Sequence, residues 1–210
     1  MAPRAYRSIT RAQAADETRR RIASAAAKLL KSKGPAGFSL EAVATKASVT
    51  RLTVYNHFGS RSALLEAVFD ERAARGGLHR IPQAMTQPDP VAAIRQVIEI
   101  FCEFWSFDQE ALASLYAVGS SDPELAASLH ARNERRRQLI GVLVRRMDIV
   151  KGAADDLVDL LFVLTSLATF MELSSGKRTK AEVCVLLQAA AQDAVDRAAK
   201  AGAKPDGRSQ

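Results

Sequence analysis

Nine residues, Thr50 to Phe58 (Thr-Arg-Leu-Thr-Val-Tyr-Asn-His-Phe), constrain this chain more than any other stretch. They read as a short helix with one buried and one exposed side. Thr50 suits the N-cap, because its hydroxyl can accept from an orphan N–H of the first turn. Val49 and Val54 have the spacing of a hydrophobic staple. Val54 and Phe58, four apart, point into a core. At about 100° per residue, Leu52 and Asn56 then point away from it, flanked by Thr53 and Tyr55. Such a face is odd for solvent alone and suits a nucleic-acid duplex. Arg51 can pair with guanine, Leu52 can touch a thymine methyl, and Thr, Tyr and Asn side chains can hold phosphates or bases.

The flanking sequence supports that placement. A first helix is expected from about Asp16 to Lys33, with Ile22, Ala26, Leu29 and Leu30 as its apolar stripe and Gly34-Pro35 as its stop. Ser39 caps a second short helix carrying Leu40, Val43, Ala44 and Ala47. The tight turn at Ala47-Ser48-Val49 joins it to the opening stretch, which is the helix-turn-helix pattern. Ser60 caps a further helix to about Arg75, striped by Leu64, Leu65, Val68 and Phe69. Arg61 begins that helix against the dipole preference, so an anion is expected nearby.

Charge follows the same division. Residues 1–80 hold 15 Lys/Arg and 6 Asp/Glu, a net of +9, whereas residues 81–210 are at −2. Positive charge gathered in the first third fits a polyanionic partner. The first 15 residues, with arginines at 4, 7 and 11 and no apolar period, read as a flexible basic arm. That arm either reaches along DNA or only solubilises the chain. It is not a signal-peptide pattern. The most apolar run, Leu157 to Leu173, is too short and too polar to span a bilayer, and the cytoplasm is the expected compartment. Cys102 and Cys184 have no metal or disulfide-framework spacing.

Residues 16–68 resemble the DNA-binding domain of the TetR (tetracycline-repressor-like) family of bacterial regulators. The resemblance is carried by Phe38-Ser39-Leu40-Glu41-Ala42-Val43-Ala44, Ala47-Ser48-Val49-Thr50, Val54-Tyr55-Asn56-His57-Phe58 and Ser60-Arg61-Ser62-Ala63-Leu64-Leu65. It covers about a quarter of the chain. Two positions depart from the pattern: Ser48 stands where glycine is usual, and Leu52 where a small residue is usual. The resemblance implies an all-α fold, with a three-helix helix-turn-helix domain followed by a larger helical ligand-binding and dimerisation domain. It implies phosphate contacts from Ser39, Thr50, Thr53, Tyr55, His57 and Arg61, and base contacts from Arg51, Leu52 and Asn56. Tyr55 and His57 have packing at the domain surface as their alternative role.

Pro82, Pro88, Pro90 and Gly76-Gly77 mark residues 76–89 as a connector after the DNA-binding part over 16–75. Residues 90–201 carry five helical segments, from about Pro90 to Trp105, Gln109 to Val118, Asp122 to Met147, Ala154 to Ser175 and Thr179 to Ala201. Residues 202–210 read as a disordered tail. The basic run Arg132 to Arg137 reads as a solvated helix face. The last two segments carry more apolar surface than one small domain buries, as in a bundle completed by a second copy. Phe101, Phe104, Trp105, Tyr116, Phe162 and Phe170 are candidates to line an apolar effector pocket, with His130 and Asn133 to orient the ligand.

No phosphate loop, nucleophile elbow or metal-binding spacing is present, so no enzyme, cofactor or metal is expected. The reading is a homodimeric repressor that binds a palindromic operator in double-stranded DNA and is released by a small, largely apolar effector. The alternative is a helical small-molecule-binding or interaction protein whose head does not read DNA.

Overall fold

Helix α1 runs over Pro3–Lys33, beginning well before Asp16. This computed structural model describes residues 3–202, with the side chains of 3–11 outside the described part. The arm expected over residues 1–15 is therefore helical backbone from Pro3. Proline is suited to a first helical position, and the Ala, Arg and Gln residues after it favour helix, with no breaker before Gly34. The side chains of the arginines at 4, 7 and 11 are not described. Of the tail expected over 202–210, Gly202 ends the last helix and residues 203–210 lie outside the described part.

After a 3-10 turn at Pro35–Gly37, the chain forms α2 (Leu40–Ala47), α3 (Arg51–Phe58) and α4 (Arg61–Arg75). A 3-10 turn at Leu78–Arg80 and the short α5 (Ile81–Met85) follow, then α6 (Pro90–Phe107), α7 (Gln109–Gly119) and α8 (Pro123–Val144). The chain ends with α9 (Lys151–Leu164), α10 (Leu167–Ser174) and α11 (Lys180–Gly202). No strand occurs among the described residues. The segment read as a connector over 76–89 thus contains helical turns. Pro82 opens one of them near its first position, where a missing N–H costs nothing.

Two compact units emerge. The first comprises residues 1–72 and 110–129, and the second 73–109 and 130–210. In the first, Ile22, Ala26 and Leu30 of α1, Val43 of α2, Val54 of α3 and Leu64 and Leu65 of α4 are all buried, as their 3–4 spacing requires. In the second, α11 packs along both α6 and α9. Its buried stripe is Val183, Leu187, Ala191, Ala194 and Val195.

The helix expected over 154–175 is broken into α9 and α10, which meet at a bend of 54°. Sequence chemistry explains the break. Ser166 adopts an extended backbone and caps α10, its hydroxyl accepting from the Thr169 N–H at 3.1 Å. Thr165 donates its hydroxyl back to the Leu161 carbonyl at 2.8 Å. A serine that offers the backbone an alternative partner starts a helix better than it continues one. No single helix among the described residues is long and apolar enough to cross a membrane. The bent pair α9 and α10 passes only together, by length and composition.

The turn between α2 and α3 rests on Ser48, at φ 54° and ψ 48°. It is the one non-glycine residue with positive φ among those described. The Ser48 N–H bonds the Thr45 carbonyl at 3.1 Å and the Val49 N–H bonds the Ala44 carbonyl at 3.0 Å. These are the two reversed bonds of a Schellman termination, for which glycine is the unstrained residue. Ser48→Gly is therefore expected to stabilise the head by about 0.5–1 kcal/mol, a rise of a few degrees in melting temperature by calorimetry. An unchanged or lowered Tm would show that Ser48 bears no strain.

Candidate nucleic-acid interface

Helix α3 presents the two-sided arrangement its sequence calls for. Val54 is 1% exposed and Phe58 8%, while Leu52 is 66% and Tyr55 58% exposed. Arg51 and Asn56 are also exposed, and Thr53 and His57 are half-buried. The exposed leucine and tyrosine leave surface that a partner can cover.

Both helices of the motif begin with a hydroxyl cap. Ser39 Oγ accepts from the Ala42 N–H at 3.1 Å, and Thr50 Oγ1 from the Thr53 N–H at 3.1 Å. A capping hydroxyl accepts with a lone pair and keeps its proton to donate. The Thr50 and Thr53 hydroxyls lie 2.8 Å apart, so one donates to the other in this state. Among the described residues the exposed Ser39 hydroxyl has no such neighbour. Each cap also sits at the positive end of its helix, where an anion is stabilised.

Two arginines near this face have structural work. Arg19 of α1 donates to the His57 carbonyl, and its guanidinium lies 4.3 Å from the centre of the Phe58 ring. It ties α1 to the last turn of α3 and helps orient the exposed face. Sequence reasoning missed this residue, because α1 seemed to supply only apolar packing.

Arg61 bonds Asp122 Oδ2 at 3.0 Å and lies 5.3 Å from the centre of the Phe38 ring. The anion that its position at a helix start calls for is thus a carboxylate of the protein. Asp122 also receives the Ser62 hydroxyl at 3.0 Å and caps α8 by accepting from the Leu125 N–H at 3.1 Å. Burial raises the Asp122 carboxyl pKa, but the Leu125 N–H, the Ser62 hydroxyl and Arg61 together hold it below the usual value.

Residues 22–68 match the family model described as "Bacterial regulatory proteins, tetR family". The HTH-type transcriptional regulator EthR of Mycolicibacterium smegmatis is 31% identical over 155 residues, covering 72% of this chain and 70% of EthR. The chain belongs to the TetR family. The HTH-type transcriptional regulator CymR of Pseudomonas putida is 29% identical over 162 residues, covering 73% of this chain and 78% of CymR. The fold agrees with the crystal structure of a TetR-like transcriptional regulator from Rhodococcus sp. RHA1. That structure is 19% identical, has a TM-score of 0.67, and covers 85% of this chain and 96% of its own. The protein is a DNA-binding transcriptional regulator of the TetR family.

In this TetR-family chain, most of the aromatic residues named as effector candidates are packed in the core of the second unit. Phe104, Trp105 and Phe170 are 0%, 3% and 1% exposed. Phe104 lies 4.4 Å from Trp105 and Phe101 stacks on Trp105 at 6.0 Å, centre to centre. The Trp105 indole N–H donates to the Thr165 carbonyl at 2.9 Å, at the break between α9 and α10. Tyr116 is half-buried and belongs to the first unit, apart from this cluster in the chain's division. His130 is exposed on α8, because the inward positions of that helix include Leu129, Arg136 and Ile140. It does not face the aromatic core.

Asn133 is half-buried, and its Oδ1 accepts from Arg136 at 3.4 Å. The run Arg132 to Arg137, read as a solvated face, is not one. Arg136 is 7% exposed. It also donates to the Thr165 carbonyl and lies 4.3 Å from the centre of the Phe162 ring. Its neighbour Arg137 pairs with Asp159. Spacing was the available signal: Leu125, Leu129, Arg136, Ile140 and Leu143 fall on one face of α8, so an arginine occupies a core position.

A depressed Asp122 pKa carries a pH prediction. Its contribution to stability is full above the unfolded carboxyl pKa, about 3.9. It is lost as pH falls through the lower folded value. Asp122→Asn should cost about 1–2 kcal/mol at neutral pH and flatten the decline below about pH 4. Urea unfolding of both proteins at several pH values reads this out. Parallel pH profiles would remove Asp122 from the account.

Proposed function

We propose that α3 is the reading helix of a dimeric repressor. Arg51, Leu52 and Asn56 contact base edges in the major groove. Ser39, Thr50, Thr53, Tyr55 and His57 hold the flanking phosphates. The observation that carries this reading is the exposed Leu52 and Tyr55 on a helix whose opposite side is sealed by Val54 and Phe58. Arg61 acts mainly by fixing Asp122, and can reach a phosphate only by giving up part of that pair.

Dimerisation is proposed through α9 and α11. Leu160 and Val163 of α9 are 44% and 55% exposed, and Val185 and Leu186 of α11 are 65% and 39% exposed. Bare apolar residues on two helices that pack together favour a bundle completed by a second copy. A two-fold dimer in turn calls for an operator with inverted half-sites.

The effector is proposed to be small and largely apolar and to act in the second unit, at the edge of the aromatic core where Phe162 and Asn133 flank Arg136. A ligand that prefers one arrangement of the dimer releases DNA by its differential affinity for that state. This proposed dimeric repressor works in the cytoplasm, where its operator is.

Selection from a random DNA pool should return an inverted repeat, with affinity falling steeply with salt. Arg51→Ala should cost about 1–3 kcal/mol and relax one base position in each half-site. Binding without sequence preference, in the presence or absence of added apolar ligands, would sink the reading. Leu186→Glu should shift sedimentation from dimer to monomer and weaken operator binding. A variant that stays dimeric places the interface elsewhere. The chain has a single tryptophan, so an effector reaching the aromatic core should change Trp105 emission.

A further inference from the structure

The two cysteines, 82 positions apart in sequence, meet in the fold. Cys102 lies on α6 and Cys184 on α11, and these helices pack along each other. Both thiols are free and line one cleft of about 520 Å³, together with Arg95, Glu99, Glu103, Lys180 and Gln188. Cys102 is 2% exposed, whereas Cys184 is half-buried beside the opening.

We propose that Cys102 and Cys184 form an oxidation site for hydroperoxides, which closes an intramolecular disulfide and staples α6 to α11. The division of labour follows from exposure. Cys184 is reached first from the cleft, and Cys102 waits behind it. In the first step the Cys184 thiolate attacks one peroxide oxygen. The O–O bond breaks, and Cys184 becomes a sulfenic acid as water from hydrogen peroxide, or an alcohol from an organic hydroperoxide, leaves after taking up a proton. In the second step the Cys102 sulfur attacks the Cys184 sulfur. The S–S bond forms, and the sulfenic oxygen leaves as water carrying the Cys102 proton. Two thiols are oxidised and one peroxide is reduced.

The surroundings support these roles. The hydrogen bond from Cys102 lowers the Cys184 pKa, and Lys180, one turn earlier on α11, lowers it further against the opposing effects of burial, Glu99 and Glu103. Glu103 is engaged by Arg80, which neutralises one of those opposing charges. The same hydrogen bond, then burial, keeps the Cys102 thiol protonated. A partly exposed thiolate next to a buried resolving thiol is the arrangement in which oxidation ends at a disulfide.

The cleft borders the proposed dimer face. Val185, one of the bare apolar residues of α11, also lines the cleft, whereas Leu186 lies about 200° around the helix from Cys184.

The test is to treat the full chain with a few equivalents of hydrogen peroxide, quench with catalase, and count thiols by alkylation and intact mass. The expected result is loss of both alkylatable thiols and a mass lower by two hydrogens. A crosslinked Cys102–Cys184 peptide should appear, no disulfide between chains should form, and dithiothreitol should reverse the change. The oxidised form should melt several degrees higher, because the staple restrains the unfolded chain. Cys102→Ser should trap Cys184 as a dimedone-reactive sulfenic acid, and Cys184→Ser should leave Cys102 unoxidised. Two intact thiols in the treated wild type, or a disulfide only between chains, would overturn the proposal. None of these readouts depends on DNA binding, so failure of the repressor reading leaves this test intact.

Discussion

The direction of α3 depends on one residue, Ser48, holding a left-handed backbone. The reversed hydrogen bonds of the Ser48 and Val49 N–H groups end α2 at Ala47 and turn the chain within two residues, so that Thr50 can cap the next helix. Everything exposed on α3 follows from that turn. Val54 and Phe58 must face the core, and the helical repeat then forces Leu52, Tyr55 and Asn56 outward. A serine here gives up the unstrained backbone that glycine provides and keeps a side chain at the surface. Arg19 acts on the far end of the same helix, where it holds the His57 carbonyl and covers Phe58. The exposed face of α3 is thus fixed at its start by backbone geometry and at its end by a long side chain from α1.

The second unit is organised by a different constraint, a carbonyl released from the helical ladder. The break after Thr165 leaves its oxygen without the N–H that an unbroken helix would supply. The Trp105 indole and the Arg136 guanidinium both donate to it instead. A buried carbonyl with no donor would cost about 1–3 kcal/mol, so the break and its two donors stand or fall together. Arg136 also gains from the Phe101 and Phe162 rings, 5.6 and 4.3 Å away, which offset part of the cost of burying its charge. Changes at Phe162 or Asn133 act directly on this arrangement, because both contact Arg136.

Much of this was legible in the residues, and the exceptions have physical reasons. The helices of the head declared themselves through caps and apolar spacing: Ser39, Thr50 and Ser60 each cap the helix expected of them. The split of α9 and α10 was missed because the apolar stripe from Leu157 to Met171 keeps nearly helical spacing across the break, and a local serine cap overrides it. The role of Arg136 was missed because composition makes a basic run look solvated, whereas its register on α8 makes it a core position. The aromatic residues showed only that they are buried. Whether a cluster of rings is core or lining depends on the space between helices, which spacing along one chain does not contain. The meeting of Cys102 and Cys184 is likewise a property of how α6 packs on α11.

The allocation of arginine charge bears on how the head meets DNA. Net positive charge over residues 1–80 suggests many phosphate contacts, but only cations without internal partners can neutralise phosphates at full value. Arg19 is committed to a carbonyl and a ring, and Arg61 to Asp122. Arg51 and Lys46 are exposed and make no hydrogen bond or ion pair with the described residues. Lys46 sits in the last turn of α2, where a cation is favoured by the helix itself. The head therefore has fewer uncommitted cations than its composition suggests. In the proposed complex the hydroxyl caps at Ser39 and Thr50 would act as neutral donors. Neutral contacts release no counterions, so they would set position on the duplex, and exposed cations such as Arg51 would carry the salt dependence.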